Sequence, residues 1–169
     1  LPYKSFLVTL YTGSRWGAGT KADVFLQLIG QNGTSDVHCL RHPQVPSFRR
    51  GSTDRFLLTS REDLGDICAF RVWHSNRGPS PGWFLSRAKV ENTSTRKTWL
   101  FMCRKWLSLD KGDGLLERTF FSPRFRNNSF LICNTAQTSH HVLYRQPERR
   151  CHQCLGHKTR KINTFRLIE

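Results

Sequence analysis

Hydrophobic and polar positions alternate with a period of two along most of the first 121 residues. Phe6, Val8 and Leu10 alternate with Leu7, Thr9 and Tyr11, and Val24, Leu26 and Leu28 with Phe25, Gln27 and Ile29. Further runs rich in β-branched and aromatic residues lie at 55–59, 67–73, 83–91, 98–103 and 115–121. This period predicts strands, because successive side chains on a strand point to opposite faces. Breakers separate the runs: Gly13 to Gly19, Gly30 to Gly33, Gly78 to Gly82 and Lys111 to Gly114. Turn signals roughly ten residues apart predict an all-β sandwich. No amphipathic helix is predicted, and 60–65 reads as one helical turn or a loop. After Phe121 the alternation fades. Residues 122–169 read as a basic extension or linker, poorly ordered, with short elements at 130–133 and 142–144; residues 1–121 form the domain.

Composition supports a packed domain. Hydrophobic residues make up 37% of 169, with 12 Phe and 5 Trp, enough for a core without metal or disulfide staples. No run is long and apolar enough to span a bilayer. Leu1 is not an initiator Met and no signal-peptide pattern comes after it, so a piece of a longer protein is expected, with any membrane anchor outside it. Charge narrows the partners. With 27 Lys+Arg against 12 Asp+Glu, the net charge of +15 favours an anionic surface: lipid headgroups, an acidic protein or nucleic acid. The alternative is a basic surface that is merely solvated. The extension alone holds nine Lys and Arg against two acids. Its cations are interleaved with Phe125, Phe130, Tyr144 and Phe165, a composition that suits nucleic acid. No nucleic-acid-binding motif accompanies them, so nucleic acid is not the expected partner.

Eight segments carry a resemblance. They are Val8-Thr-Leu-Tyr-Thr-Gly13, Gly17-Ala-Gly-Thr20, Val24-Phe-Leu-Gln-Leu-Ile-Gly30, Arg50-Gly-Ser-Thr-Asp-Arg-Phe56, Asp63-Leu-Gly65, Arg71-Val-Trp-His74, Gly78-Pro-Ser-Pro-Gly-Trp-Phe-Leu85 and Trp106-Leu-Ser-Leu-Asp110. In this order, over residues 3–121, the chain resembles a PLAT (lipoxygenase homology, LH2) domain. Trp73-His74, Ser80-Pro-Gly-Trp83, Ser35-Asp-Val-His-Cys-Leu40 and Trp99-Leu-Phe-Met-Cys103 most resemble the PLAT domains of the polycystin-1 family, toward its receptor-for-egg-jelly branch. The resemblance implies a sandwich of two four-stranded antiparallel sheets. It also implies a non-catalytic binding module on the cytoplasmic face of a multi-pass membrane protein of the calcium-channel-related polycystins. The extension does not resemble the segment that family places after its PLAT domain.

The resemblance also points to sites. In lipoxygenase members a Trp in the loop matching 13–19 is thought to dip into the membrane. Here Trp16 stands between Gly residues with Arg15 beside it and Lys21 just beyond, and an amphipathic indole suits the headgroup boundary. Each cation adds about 1 kcal/mol near an anionic surface. Arg15, Trp16, Lys21 and Trp83, which comes directly after a Pro-Gly turn, are the candidate lipid-binding residues. The alternative for Trp16 is a lid folded back over the core; Trp73, Trp99 and Trp106 read as core or strand-end packing.

Many PLAT domains bind Ca²⁺ through a Gly-Thr-Asp loop and a His-Asp-Asn loop. Here Lys21 replaces the first Asp and Ser75 the second. Gly17, Gly19, Thr20, Asp23 and Asn76 remain as a degenerate set, and Asp36 and Asp54 are further oxygen donors. Ca²⁺ takes six to eight oxygens, several of them charged, so no cofactor is expected and fixed positive charge would stand in for the metal.

Other constellations carry less. Asp110, Asp113 and Glu117 read as turn chemistry rather than a metal cluster. Cys151-His-Gln-Cys154 with His152 or His157, completed by Cys133 or His140, would supply a zinc set, but no second CxxC exists and an incidental pair is the plainer reading. Cys39, Cys68 and Cys103 fall in or beside strands, where a reduced thiol behaves as a small hydrophobe. Sequons at Asn32, Asn92 and Asn127 point instead to an exported chain. No nucleophile elbow, HExxH or phosphate-binding glycine loop is present.

Overall fold

A computed structural model describes residues 3–41, 44–125 and 160–161. Eight strands of the domain run β1 (Lys4–Thr12), β2 (Val24–Gly30), β3 (His38–Cys39), β4 (Thr53–Ser60), β5 (Ile67–His74), β6 (Trp83–Asn92), β7 (Thr98–Leu107) and β8 (Glu117–Phe121). A 3-10 turn at Pro123–Phe125 comes next. Two antiparallel sheets result, ordered β7-β6-β1-β4 and β3-β2-β5-β8. This is the expected sandwich, with one addition. Arg160–Lys161 forms β9, paired antiparallel with β4 at Phe56 and Leu57. The elements expected at 130–133 and 142–144 lie outside the described residues.

The period-two pattern becomes the two faces of each sheet. Phe6, Val8 and Leu10 of β1 point inward with Phe56 and Leu58 of β4, Val90 of β6, and Trp99 and Phe101 of β7. Val24, Leu26 and Leu28 of β2 meet them from the other sheet with Phe70 and Val72 of β5. Phe70 packs edge-on against Phe101 across the gap, centroids 4.9 Å apart. Each fully buried aliphatic or aromatic side chain contributes about 1.5–3 kcal/mol relative to exposure. The 60–65 segment is a loop, not a helical turn. The short β3 escaped prediction because two residues carry no periodicity.

Register fixes which loops share an end. β1 pairs Lys4 with Ser60 and Tyr11 with Thr53. β2 pairs Val24 with His74. Loops 13–23, 40–52, 75–82 and 108–116 therefore gather at one end, and 31–37, 61–66 and 93–97 at the other. The first group holds seven Lys and Arg against three acids. The second holds three against four.

Candidate functional site

The first of the gathered loops is tied down at its root and free at its tip. Thr12 N–H donates to Ser52 O at 3.0 Å, Gly13 N–H to Phe84 O at 2.9 Å, and Gly51 N–H to Gly13 O at 2.9 Å. A turn then closes from Ala18 N–H to Arg15 O, 3.0 Å, with Gly17 at φ 70°, a conformation that favours glycine. Trp16 sits on this turn and is 87% exposed, the most exposed large hydrophobic residue described. It is a projecting ring, not a lid over the core.

Cations stand on the aromatic rings around it. The Arg50 guanidinium lies 5.3 Å from the Trp16 ring centre. Arg15 lies 4.4 Å from that of Phe84, and Lys111 Nζ 4.5 Å from that of Trp106. Phe84 and Trp106 pack edge-on with centroids 5.2 Å apart, so Arg15 and Lys111 flank one aromatic pair. Such contacts cover the stems and leave the charge at the surface.

Beside the tip, residues 19–23, 40–41, 45–50 and 77–80 line an open cleft of about 760 Å³. Its cations are Lys21, Arg41, Arg49, Arg50 and Arg77, and Asp23 is the one acid. Arg41 lies 3.5 Å from Asp23, whereas Lys21, Arg49, Arg50 and Arg77 make no salt bridge among the described residues. The walls are locked together. Thr20 N–H donates to Phe48 O at 2.9 Å and Thr20 Oγ1 to Pro81 O at 2.8 Å. A Cβ on Gly19 would stand 2.8 Å from both Phe48 O and Arg50 N, so only glycine permits this approach. Phe48, at φ 56°, plugs its ring into the core against Phe56 and Trp83. The buried Asp54 carboxylate holds that turn, accepting from Phe48 N–H at 2.8 Å and Ser52 Oγ at 2.7 Å.

The sequence-predicted residues divide accordingly. Arg15, Trp16 and Lys21 are exposed at this end. Trp83 is not: it is fully buried, its indole N–H donating to Thr12 Oγ1 at 3.0 Å. Trp83 is a core anchor beneath the site and cannot touch a lipid, because the preceding turn directs the strand, and the ring with it, inward. Trp99 is buried, while Trp73 and Trp106 are half-buried on outer sheet faces, Trp73 stacked on Phe25. Arg41, Arg49, Arg50, Arg77 and Lys111 were not singled out. The Arg49-Arg50 pair was a visible signal, but the meeting of three loops was not.

The residues present do not fit a Ca²⁺ site. Asp23 is the single carboxylate at the cleft and faces Arg41. Thr20 Oγ1 is engaged by Pro81 O and Ala22 N–H. Asp54 is buried under Phe48, and Asp36 lies at the opposite end. Gly17 belongs to the Trp16 turn. Asn76, at φ 54°, donates its N–H to His74 Nδ1 at 3.0 Å. Among the described residues no three His, Cys, Asp or Glu side chains gather as a metal group.

His74 braces the 75–82 loop from below. Its Nε2 lies 2.7 Å from Leu107 O while Nδ1 accepts from Asn76, so the ring is the neutral Nε2–H tautomer. Burial pushes this imidazole below its ordinary 6.5. The thiol of Cys39 is pushed up to about 11, first by burial and then by the Asp23 charge, which Arg41 partly offsets. It stays protonated and unreactive at neutral pH; Cys39, Cys68 and Cys103 are all unbridged. Asp113 pairs with Arg118 and Glu117 with Arg71, while Asp110 N–H donates to Ser108 Oγ at 3.2 Å, so these acids serve the last turn and strand. Cys133, His140, Cys151, His152, Cys154 and His157 lie outside the described residues, as does Asn127.

Comparison with known proteins covers the sandwich as a whole. The model of the PLAT/LH2 domain matches residues 6–121. The chain is 60% identical over 132 residues to the polycystin family receptor for egg jelly of Mus musculus, a match that covers 75% of this chain and 6% of that protein. The human receptor is 58% identical over 121 residues, 70% and 5% of the two chains. Human polycystin-1-like protein 3 is 42% identical over 115 residues, 68% and 7% of the two chains. The chain thus spans only a small part of the curated relatives it matches. Among solved structures, the coral 8R-lipoxygenase described as activated by calcium through a C2-like domain superposes with a TM-score of 0.61. It is 24% identical, and the match covers 70% of this chain and 17% of that one, a likeness of fold.

Proposed function

The chain belongs to the PLAT/LH2 domain family, and from that premise we propose that it is a non-catalytic interaction module that docks on anionic lipid headgroups by the Trp16 turn and the basic loops around it. The observation that carries this is Trp16, 87% exposed at the end where seven Lys and Arg face three acids. The polycystin-family relatives support a membrane-protein setting, and the cytoplasmic face of that membrane is part of the proposal. Docking is calcium-independent, because Lys21, Arg41, Arg49, Arg50 and Arg77 already supply the positive charge that a metal bridge would bring.

Burying about half of an indole of roughly 200 Å² at about 25 cal/mol per Å² gives about 2.5 kcal/mol, more than a tenfold effect. Co-sedimentation of residues 1–169 with phosphatidylserine vesicles tests this. Binding should fall with salt, stand unchanged on adding Ca²⁺ or chelator, and drop more than tenfold in Trp16→Ala. No binding to any anionic vesicle would end the reading.

A second reading rests on another surface. Leu100 and Met102, 62% and 48% exposed, face outward from the edge strand β7, where an apolar contact with a cytoplasmic partner protein could form. Loss of partner capture in Leu100→Asp, with vesicle binding intact, would assign the function there.

A further inference from the structure

We propose that the free edge of β7 receives an extended segment of a partner protein, added antiparallel as a further strand, with acidic residues at its N-terminal end and apolar residues at alternate positions after them. This names the partner chemistry for the β7 surface of the second reading above and rests on that reading.

The backbone is the first support. Of the four sheet edges, β4 is covered by β9, β3 has two residues and β8 five, whereas β7 has ten and no strand beyond it among the described residues. The Asn92 N–H donates to Lys97 O at 2.9 Å, which sets the phase of the β6–β7 ladder. Hydrogen-bonded pairs recur at every second residue, here Val90 with Trp99 and Ala88 with Phe101. The N–H and C=O groups of Thr98, Leu100 and Met102 therefore point away from β6. The register is regular from Thr98 to Met102, and the bulge that breaks it lies beyond, at Arg104 with φ 50°. Residues 98–102 hold no proline and no charge, the devices by which sheet edges repel a new strand.

Side chains are the second support. The exposed Leu100 and Met102 share one outer face beside that free backbone. An added strand sets every second side chain against them, and those same residues carry the N–H groups aimed at β7. Main-chain bonds then give affinity and the alternate side chains give specificity.

Charge selects the occupant. Arg104 and Lys105 are exposed at one end of the stretch and make no salt bridge among the described residues. At the other end Arg96 pairs with Glu91 and Lys97 with Asp66. The unmatched charge thus lies where an antiparallel partner brings its N-terminal residues. A second copy paired Leu100 to Leu100 would set Arg104 against Arg96, and paired Leu100 to Met102 would set Lys105 against Lys97; like charges directly opposite repel. The chain's own residues 122–169 carry nine Lys and Arg against two acids, also the wrong sign. An acidic partner remains.

The test titrates residues 1–169 into a fluorescein-labelled peptide of two glutamates followed by threonine, valine, threonine, valine and threonine. N-methylation of both valines, whose amides face β7, should weaken binding by about tenfold or more, while N-methylation of two threonines, whose amides face away, should weaken it by less than about threefold, given two hydrogen bonds lost in the first case and none in the second. Arg104→Glu with Lys105→Glu should reverse the preference, to a peptide with lysines in place of the glutamates. Leu100→Ser with Met102→Ser should abolish binding of either peptide with the urea midpoint unchanged. Equal weakening by the two methylation patterns would overturn strand addition and leave an apolar contact at β7 standing. Peptide binding that survives the serine variant would place the acids on the basic loops and overturn the assignment. No binding of the peptide, with partner capture still lost in Leu100→Asp, would overturn the acidic extended class alone; no binding with capture unimpaired in Leu100→Asp would overturn the second reading with it. Self-association in sedimentation that the serine variant loses would give the edge to a second copy and overturn the acidic partner.

Discussion

Trp16 and Trp83 carry opposite burdens although both lie next to glycine-rich turns. Trp83→Ala should cost about 3–5 kcal/mol, since it empties a core site and orphans Thr12 Oγ1. Trp16→Ala should shift stability by less than about 0.5 kcal/mol, as surface changes do. Paired urea titrations would show the contrast, and equal losses would contradict the placement of both rings. His74 makes stability depend on pH. Its native pKa lies below the unfolded 6.5, so the unfolded chain takes up the proton first. Stability is fully present above pH 6.5 and falls as the pH drops from there toward the native pKa. His74→Gln should flatten that part of the urea-midpoint profile. The exposure of Arg15, Trp16 and Lys21 was legible in the sequence because exposure in a Gly-rich turn is a local property. The burial of Trp83 was not, because the inward turn of a strand's first residue depends on the facing sheet.

At the scale of elements, the strands were legible and the loops were not. Period two shows which residues share a face, and six of the predicted runs coincide closely with β1, β2, β4, β5, β6 and the first part of β7. β3 was missed, and β8 begins two residues later than its predicted run. The cleft depends on contacts between residues far apart in sequence, such as Thr20 with Pro81, which no periodicity announces. Two substitutions probe this joinery. Gly19→Ala forces a Cβ against the Phe48 and Arg50 backbone, so it should lower the melting temperature and weaken vesicle binding together. Asp54→Ala strips the acceptor from a buried Phe48 N–H and should cost about 1–3 kcal/mol. Protection of the Phe48 amide from hydrogen exchange would report it; unchanged protection would show that the turn holds without the carboxylate.

Across the two ends of the sandwich, loop charge is distributed unevenly rather than merely in excess. One end holds seven cations to three acids and the other three to four. An anionic surface therefore orients the sandwich before contact as well as attracting it. The Debye length contracts from about 30 Å at 0.01 M to about 3 Å at 1 M salt. Steering should vanish over that range, and vesicle binding in stopped flow should lose association rate before it gains dissociation rate. The total of +15 raised the expectation of an anionic partner, but only the antiparallel register shows which loops stand together.

That register has a mechanical consequence. The end opposite the Trp16 turn is where β1 begins at Lys4 and β8 finishes at Phe121. A domain gripped at the loops and pulled from either of those points is loaded along its strands. The ladder hydrogen bonds run across the strands, so such a pull shears many at once instead of peeling them one by one. A strand of nine residues, β1, makes the lever arm about 30 Å long. The sandwich is thereby built as a stiff strut between its basic loops and its opposite end.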